Sequence, residues 1–239
     1  DIVKLNYERK EIMYQTPKIA VILSGCGVFD GSEIHEAVCT LLAIDKAGAE
    51  YQCFAPNTWQ AKTVDHFTGQ TSALAGDDEN RNVLAESARI ARGNIKPLSE
   101  FKAADFDAVI FPGGFGAAMN WSDFAAKGPA CDVNEEIRRV IEESHAKGLV
   151  IGAMCIAPVV IARVLGRYKV KVTIGTDKDI ARGIDKMGAV HETKKSTEVC
   201  VDTDNRVVTT PCYMLDKSIK DICRSTENLV EEIMELLGA

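Results

Sequence analysis

The feature that most constrains this sequence is its alternation of short apolar runs with longer segments of helical periodicity. The run KIAVILSG precedes the amphipathic segment SEIHEAVCTLLAIDKAGA, and the run YQCFAP follows it. The alternation resumes with DAVIFPGG, NEEIRRVIEESHAKG, LVIGAM, a helical segment from Cys155 to Leu165, KVTIGT and DIARGIDKMG. A helix that links two strands of one sheet leaves them parallel. The sequence therefore predicts an α/β fold, a three-layer sandwich whose mainly parallel sheet is covered by helices on both faces.

Two stretches depart from this alternation. Residues 57–100 contain two polar, glycine-punctuated stretches around the helical segment RNVLAESARIARG, and we expect them to form an insertion over the sheet. The segment TEVCVDTDNRVVTTP has two short β runs around Asp204-Asn205, which predicts a hairpin before a last helix on the sheet. We therefore expect an N-terminal extension over residues 1–16 and one α/β domain over residues 17–239.

The composition limits the classes of partner. The formal net charge of the 239 residues is −7, and Lys and Arg are scattered instead of forming a basic stripe, which argues against nucleic-acid binding. No apolar run reaches the ~20 residues that span a bilayer, so we expect no membrane segment. The eight cysteines include no CxxC pair, which suits a reducing compartment where most of them are core thiols. We expect a small-molecule or protein partner, and a location in the cytoplasm or the mitochondrial matrix, the latter after removal of a targeting segment ahead of residue 1.

Function is expected in the turns that follow the strands, because ligands of parallel α/β sheets bind at the carboxyl ends of the strands. The first such turn, SGCGVFDGSEIHE, carries Glu33 and Glu36 one helical turn apart. They share a face of the following helix, so either carboxylate can point into the cleft, although a helix N-terminus also favours acidic residues that have no function. The glycines of this turn, Gly25, Gly27 and Gly31, most simply permit a tight loop.

The second and third turns provide a candidate oxyanion site and a candidate nucleophile. In FPGGFGAAMN, Gly113 and Gly114 let the backbone fold sharply and direct its N–H groups at a bound oxygen, although double glycines also end ordinary strands. In GAMCIA, Cys155 follows Gly152 at the junction of a strand and a helix, like the strained elbow of G-x-S-x-G enzymes. A helix N-terminus lowers the pKa of a thiol, so we expect a reactive thiolate there. The position alone does not separate a nucleophilic Cys155 from a structural one.

Two other kinds of site are weighed against these residues. A dinucleotide site would use the GxGxxxG spacing of the first turn, but the next strand ends in Ala55-Pro56-Asn57 and offers no carboxylate for a ribose. A metal site would use His35 and Cys39, which are four residues apart on one helix face, but no second pair has zinc spacing. We therefore expect neither a cofactor nor a metal.

Four segments together, ILSGCGVFDGSEIHEA, FPGGFGAAMN, GAMCIAP and VVTTPCYM, resemble the ElbB-type branch of the PfpI superfamily, which includes mitochondrial homologues. The resemblance covers nearly the whole chain. It implies a flavodoxin-like or class I glutamine amidotransferase-like fold, an elbow nucleophile at Cys155, and a glutamate against its sulfur, here Glu36 with Glu33 as the second choice. It also implies oxyanion donors at the N–H groups of Gly114 and Ile156, and a homodimer.

The chain departs from other members of this superfamily at two positions. Proteolytic members have His directly after the nucleophile, where this chain has Ile156, and relatives of the deglycase type have His at the strand end where this chain has Gly175. Acyl transfer then lacks its usual imidazole relay, so peptidase and glutaminase activities are disfavoured. His191 is expected to cap a strand end as an ordinary polar residue.

A reaction that needs only a thiolate, one base and water remains open to this chain. A small dicarbonyl can accept the thiolate of Cys155 and then pass one proton between neighbouring carbons through Glu36. Members that resemble this chain are associated with cofactor-independent glyoxalase activity, which converts glyoxal to glycolate without glutathione, and this is the function that we expect. The first alternative is a non-catalytic protein in which Cys155 senses oxidants or the fold binds a partner, with a link to isoprenoid metabolism. The second is a nucleotide-dependent oxidoreductase.

Overall fold

The predicted sandwich is confirmed by a computed structural model, which describes residues 16–71, 81–215 and 217–239. A mostly parallel seven-stranded sheet has helices on both faces. The extension expected over residues 1–16 lies outside the described residues, except for Thr16.

The main elements are the following nine strands and eight α-helices of the described residues. The strands are β1 Lys18–Ile22, β2 Glu50–Ala55, β3 Ile95–Pro97, β4 Ala108–Phe111, β5 Val150–Met154, β6 Lys171–Val172, β7 Val190–His191, β8 Cys200–Asp202 and β9 Val207–Thr210. The helices are α1 Ile34–Lys46, α2 Val83–Ile90, α3 Phe115–Met119, α4 Phe124–Lys127, α5 Glu135–Lys147, α6 Pro158–Leu165, α7 Lys178–Lys186 and α8 Ile219–Leu237.

The strand order places the three strands that matter for function side by side. The sheet runs β3-β2-β1-β4-β5-β9-β8, so β1, β4 and β5 are neighbours. All neighbouring pairs are parallel except β8 and β9, which form the predicted antiparallel hairpin. The turns that follow β1, β4 and β5 therefore meet at one edge of the sheet.

Both faces of the sheet are covered by apolar helix faces. One buried cluster joins the sheet to α1, α2 and α8, and the other joins it to α3, α5, α6 and α7. Every residue of β4 and β5 is buried, as expected for central strands with helices on both sides. Among the described residues no helix combines the length and the apolar character needed to cross a bilayer.

Two expectations about the sheet are wrong. The helix expected within residues 57–100 is present as α2, but the insertion is shorter than expected, because β3 falls within this range and joins the sheet beside β2. The run KVTIGT does not enter the main sheet, since β6 pairs with β7 in a separate two-stranded ribbon. Side chains, and not a neighbouring strand, accept backbone N–H groups of this run. Asp202 accepts the N–H of Lys171 (2.8 Å), and the hydroxyl of Thr209 accepts the N–H of Thr173 (2.9 Å).

One pair of cysteines departs from the expectation of core thiols. Cys39 of α1 and Cys223 of α8 form a disulfide that joins the two helices. The other six cysteines are free, and all of them are buried except Cys26, which is half-buried. The cysteine spacing does not predict the disulfide, because its partners are 184 residues apart in the sequence.

Candidate active site

The turns after β1, β4 and β5 are fixed by backbone hydrogen bonds at the carboxyl edge of the sheet. The N–H of Glu33 in the first turn donates to the carbonyl of Gly113 in the second (2.9 Å). The N–H of Cys155 in the third turn donates to the carbonyl of Thr210 at the end of β9 (3.0 Å). The three turns that the sequence indicates therefore form one site.

Cys155 occupies the tip of the turn between β5 and α6. Its φ of +58° is left-handed, a conformation that a residue with a side chain keeps only when the surrounding structure holds it. Cys155 is 7% exposed. The helix begins at Pro158 and not at Cys155 as predicted, because a left-handed residue cannot belong to a right-handed helix. The thiol is thus displayed by a strained elbow and not by the first turn of the helix.

Glu36 lies against the Cys155 thiol from the first turn of α1. Its carboxyl group is fully buried, and the side chain of Cys155 is one of the groups that lower its pKa. The N–H of Tyr213 donates to Oε1 and the N–H of Gly113 donates to Oε2, each at 3.1 Å. Glu33 instead caps α1, because its carboxylate accepts the N–H of Glu36 (2.7 Å). Of the two candidate glutamates, the structure places Glu36 at the sulfur.

Gly113 is required by the closeness of the thiol and the carboxyl group. A Cβ atom at Gly113 would lie 2.5 Å from Oε2 of Glu36 and 3.0 Å from Sγ of Cys155. Its neighbour Gly114 has a φ of +101°, and a Cβ atom there would collide with the backbone of the first turn. The pair of glycines therefore lets the second turn pass between the first turn and the elbow.

The predicted oxyanion donors lie beside the sulfur. The backbone N–H groups of Gly114 and Ile156 both act on the thiol group of Cys155 to lower its pKa. Donors in this position would face an oxyanion that forms on a carbon bonded to the sulfur. Their role in a reaction remains a prediction.

Burial governs the protonation of the thiol and the carboxyl group. Burial raises the pKa of Cys155 well above its ordinary value, and the charge of Glu36 raises it further. Burial also raises the pKa of Glu36 to about 8, with a smaller contribution from the charge of Glu33. The expectation that a helix N-terminus gives a resting thiolate is therefore wrong, because desolvation outweighs the nearby N–H donors. The two groups form a coupled pair, in which a second negative charge is disfavoured by the first.

The sequence reasoning missed the segment that follows β9. Tyr213 holds Glu36 with its backbone N–H, and its hydroxyl lies 2.8 Å from Nδ1 of His35. Cys212 is buried with a φ of +43°, and burial, followed by the charges of Glu36 and Cys155, raises its pKa well above the ordinary value. The motif VVTTPCYM is the available signal, since its last four residues directly follow β9, but no residue type in it indicates a backbone donor.

Residues weighed for other roles lie elsewhere. Cys39 is bonded to Cys223, so it does not form a ligand pair with His35. His191 is half-buried at the end of β7, and its Nε2 accepts the N–H of Ile174 (3.3 Å). Among the described residues no group of three or more His, Cys, Asp or Glu side chains is arranged to hold a metal ion.

Comparison with known proteins gives the family. No family model matches the chain. The human protein named glutamine amidotransferase-like class 1 domain-containing protein 3, mitochondrial, is 46% identical over 230 residues, which cover 92% of this chain and 84% of the human protein. The crystal structure of an isoprenoid biosynthesis protein with an amidotransferase-like domain from Ehrlichia chaffeensis is 35% identical, with a TM-score of 0.86 over 93% of this chain and 100% of that chain.

More distant structures share the fold alone. Glyoxalase III from Candida albicans is 17% identical, with a TM-score of 0.58 over 92% of this chain and 97% of that chain. The assignment therefore rests on the human and Ehrlichia proteins, whose similarity extends over nearly the whole of this sequence. This chain belongs to the family of glutamine amidotransferase-like class 1 domain proteins, which have the PfpI-type fold.

Proposed function

We propose that this protein is a cofactor-independent glyoxalase-type enzyme, which converts glyoxal and similar small dicarbonyls to hydroxy acids. The observation that carries the proposal is the buried pair of Cys155 and Glu36, whose thiol and carboxyl group lie beside Gly113. The N–H groups of Gly114 and Ile156 lie beside the sulfur. A thiol, a proton carrier and oxyanion donors are the groups that this reaction requires.

In the first step the sulfur of Cys155 adds to one aldehyde carbon of glyoxal while the thiol proton passes to Glu36. The raised pKa values of both groups suit this transfer, because the thiol does not have to release its proton to water before it attacks. The aldehyde oxygen becomes an oxyanion that accepts the N–H groups of Gly114 and Ile156. It then takes the proton from Glu36, which gives a hemithioacetal and restores the carboxylate.

In the second step the carboxylate of Glu36 moves one proton between the two carbons. It removes the proton from the carbon bonded to sulfur, which gives an enediolate with its negative charge on the second oxygen. The hydroxyl proton on the first carbon passes to that oxygen, and Glu36 returns its proton to the neighbouring carbon. The product is a glycolyl thioester of Cys155. This thioester is an isomer of the hemithioacetal, so no electron acceptor is required. Water then cleaves the thioester, releasing glycolate and the free thiol, so that glyoxal plus water becomes glycolic acid.

Aldehyde addition suits this site better than amide hydrolysis. Hydrolysis of an amide needs an acid that protonates a poor leaving group, which is the usual task of an imidazole. The groups that shift the pKa of Cys155 include the carboxyl group of Glu36 and the N–H groups of Gly114 and Ile156, and none of these is an imidazole. Addition to an aldehyde expels no leaving group. We therefore propose no glutaminase activity, although the family is named for its likeness to amidotransferases.

A role of Cys155 as an oxidant sensor has less support. Oxidation to a sulfenic acid proceeds from an accessible thiolate. Cys155 is 7% exposed and burial raises its pKa, which are unfavourable conditions for that reaction. Preferential oxidation of Cys155 by mild peroxide, measured by peptide mass, together with negligible glyoxal turnover would favour the sensor.

The proposal is tested by incubating the purified chain with glyoxal and measuring glycolate by chromatography. Wild type should produce glycolate, and Cys155→Ala should abolish production. Cys26→Ser is the matched control, because Cys26 is the half-buried free cysteine of the first turn and does not belong to the Cys155–Glu36 pair. Equal turnover by wild type and Cys155→Ala would reject the mechanism.

We further propose a mitochondrial location and a homodimer. The human relative is named as mitochondrial, and so are the ES1 proteins of rat and zebrafish. The homodimer follows from the family resemblance. Fractionation of cells and light scattering of the purified protein test these two points separately.

A further inference from the structure

We infer that His35 and Tyr213 form a positioning pair that holds Glu36 in its reactive orientation through the backbone of Tyr213. The inference rests on the proposed function, because it concerns the proton carrier of that reaction. Neither side chain takes part in the steps described above. The main test of the pair does not require turnover, so the two proposals can fail independently.

Helix α1 contacts the segment after β9 at two consecutive residues. Oε1 of Glu36 accepts the N–H of Tyr213 (3.1 Å). Nδ1 of His35 lies 2.8 Å from the hydroxyl of Tyr213, and the ring centroids are 5.9 Å apart at an angle of 45°. Tyr213 is thus bound to α1 by its main chain and by its side chain. The side-chain bond fixes the distance between α1 and the segment at the place where the main-chain bond forms.

The segment needs such an anchor because its own backbone is irregular. Tyr213 belongs to the short 3₁₀ helix Cys212–Leu215, which follows Pro211. Cys212 has a left-handed φ of +43°, a conformation that is unfavourable for a residue with a side chain. The N–H of Tyr213 comes directly after this residue, so its direction depends on that conformation. The hydrogen bond between the hydroxyl of Tyr213 and His35 fixes the end of the Tyr213 side chain and so restrains this residue.

The direction of this N–H matters for the proton carrier. Burial and the charge of Glu33 raise the pKa of Glu36, and the hydrogen bond from the N–H of Tyr213 acts against them. If that bond lengthens, the pKa of Glu36 rises above about 8 and less carboxylate is present at neutral pH. The carboxyl group also becomes freer to turn away from the sulfur.

Several ionisable groups surround Glu36 and contribute to its titration. Oε1 of Glu33 lies 3.8 Å from Nδ1 of His35. Burial raises the pKa of Glu33, and burial followed by the charge of Glu33 raises the pKa of Tyr213. The titratable groups that act on the carboxyl group are Glu33 at the N-cap of α1, Cys155 from the elbow, and Cys212 and Tyr213 from the segment after β9, while His35 contacts Glu33 and Tyr213.

The test compares Tyr213→Phe, His35→Ala, the double variant and the conservative variant His35→Gln. The rate at which iodoacetamide alkylates Cys155 is measured against pH, with the Cys155 peptide quantified by mass spectrometry. A smaller negative charge on Glu36 lowers the pKa of Cys155, so Tyr213→Phe and His35→Ala should each move the midpoint downward by roughly half a pH unit to one unit and speed alkylation several-fold at neutral pH. The double variant should shift no further than either single variant, because both remove the same bond. His35→Gln, which keeps a hydrogen-bonding group, should recover part of the shift.

A matched control is available on the surface. His145 and Tyr168 also pack ring on ring, with centroids 4.4 Å apart, so Tyr168→Phe removes a phenol hydroxyl from another His–Tyr contact. It should leave the midpoint unchanged. If Tyr213→Phe does not fold, His35→Ala carries the test, because the side chain of His35 is 49% exposed.

The outcomes separate the two proposals. An unchanged midpoint in His35→Ala and Tyr213→Phe, or shifts that add in the double variant, would overturn the positioning pair. Glycolate production is measured in the same proteins. A shifted midpoint without glycolate from wild type would support the pair and reject the proposed function, whereas glycolate without a shifted midpoint would do the reverse.

Discussion

The carboxyl group of Glu36 and the thiol of Cys155 lie buried beside the same glycine, Gly113, although they come from the first and the third strand-to-helix turns of the sheet. The backbone of Gly113, in the turn between them, donates to the same carboxyl group at 3.1 Å. Burial raises the pKa of both side chains. Each member of the pair therefore releases its proton at a higher pH than an exposed side chain of the same type would.

The rate of glycolate formation should rise with pH to a plateau, with the midpoint of the rise near pH 8. Burial and the charge of Glu33 raise the pKa of Glu36 to about 8, and the reaction needs this group as a carboxylate to accept protons. Initial rates are measured across neutral and mildly alkaline pH, with the non-enzymatic conversion of glyoxal subtracted. A rate that is already constant at mildly acidic pH would show that Glu36 titrates near its ordinary value of 4.5.

The stability of Glu36→Gln relative to wild type should increase as the pH rises. Between 4.5 and about 8 the unfolded chain loses a proton that the folded protein retains on Glu36, so wild type is most stable below this window and loses stability as pH rises through it. The slope is at most about 1.4 kcal/mol per pH unit. Urea unfolding at about pH 5 and about pH 8 measures the free energy of unfolding.

The exposed Glu231 of α8 provides the control for this measurement. Glu231→Gln should change the free energy of unfolding by a small amount that does not grow with pH. If the difference between Glu36→Gln and wild type is also independent of pH, the folded-state pKa of Glu36 is not raised.

Gly113→Ala should abolish glycolate formation and cost about 1–3 kcal/mol of stability, because the added Cβ lies against both members of the pair. Gly183→Ala is the matched control. A Cβ at Gly183 of α7 meets only Pro129, at 4.0 Å, and alanine is favoured over glycine in a helix. Chemical denaturation and turnover are compared for the two variants. Full activity in Gly113→Ala would contradict the close approach of the second turn to the Cys155–Glu36 pair.

Replacement of Cys39 and Cys223 by serine should lower the free energy of unfolding by about 3–5 kcal/mol, because the disulfide closes a very long loop of the unfolded chain. Reductant should destabilise wild type by a similar amount and have no such effect on the double variant. Peptide mapping without reduction should recover the linked pair. Free thiols at both positions in the oxidised protein would contradict the disulfide.

The sequence predicts the sheet better than its edges. Alternation of apolar runs and amphipathic segments predicts β1, β4, β5 and their helices because central strands bury both faces and leave a strong pattern. The run KVTIGT has the same composition but pairs over only two residues, since Asp202 and Thr209 take its backbone N–H groups. Such a competition between a side chain and a strand is decided by tertiary contacts that no local pattern records.

Prediction of the site from the sequence is limited in the same way, by contacts between residues that are distant in the chain. The turn motifs suffice to bring Cys155, Glu36 and Gly113 to one edge, because parallel neighbouring strands end together. Glu33 and Glu36 cannot be separated by spacing, since they share a helix face, and the distinction depends on the N–H of Tyr213, which is 177 residues away from Glu36 in the sequence. The resting thiolate was also mispredicted, because burial is a property of the folded chain.

Mass analysis of the covalent intermediate tests the central claim most directly. Wild type and Glu36→Gln are each mixed with glyoxal, quenched in acid within the first turnovers and digested. The mass of the Cys155 peptide is then compared between the two proteins. If Glu36 accepts the thiol proton during attack and then moves a proton between the carbons, wild type should carry an acid-stable glycolyl thioester, one glyoxal unit, on Cys155. Glu36→Gln should carry little of this adduct and release little glycolate. Glycolate production by Glu36→Gln at the wild-type rate, or turnover in wild type with no adduct ever detected on Cys155, would contradict the account.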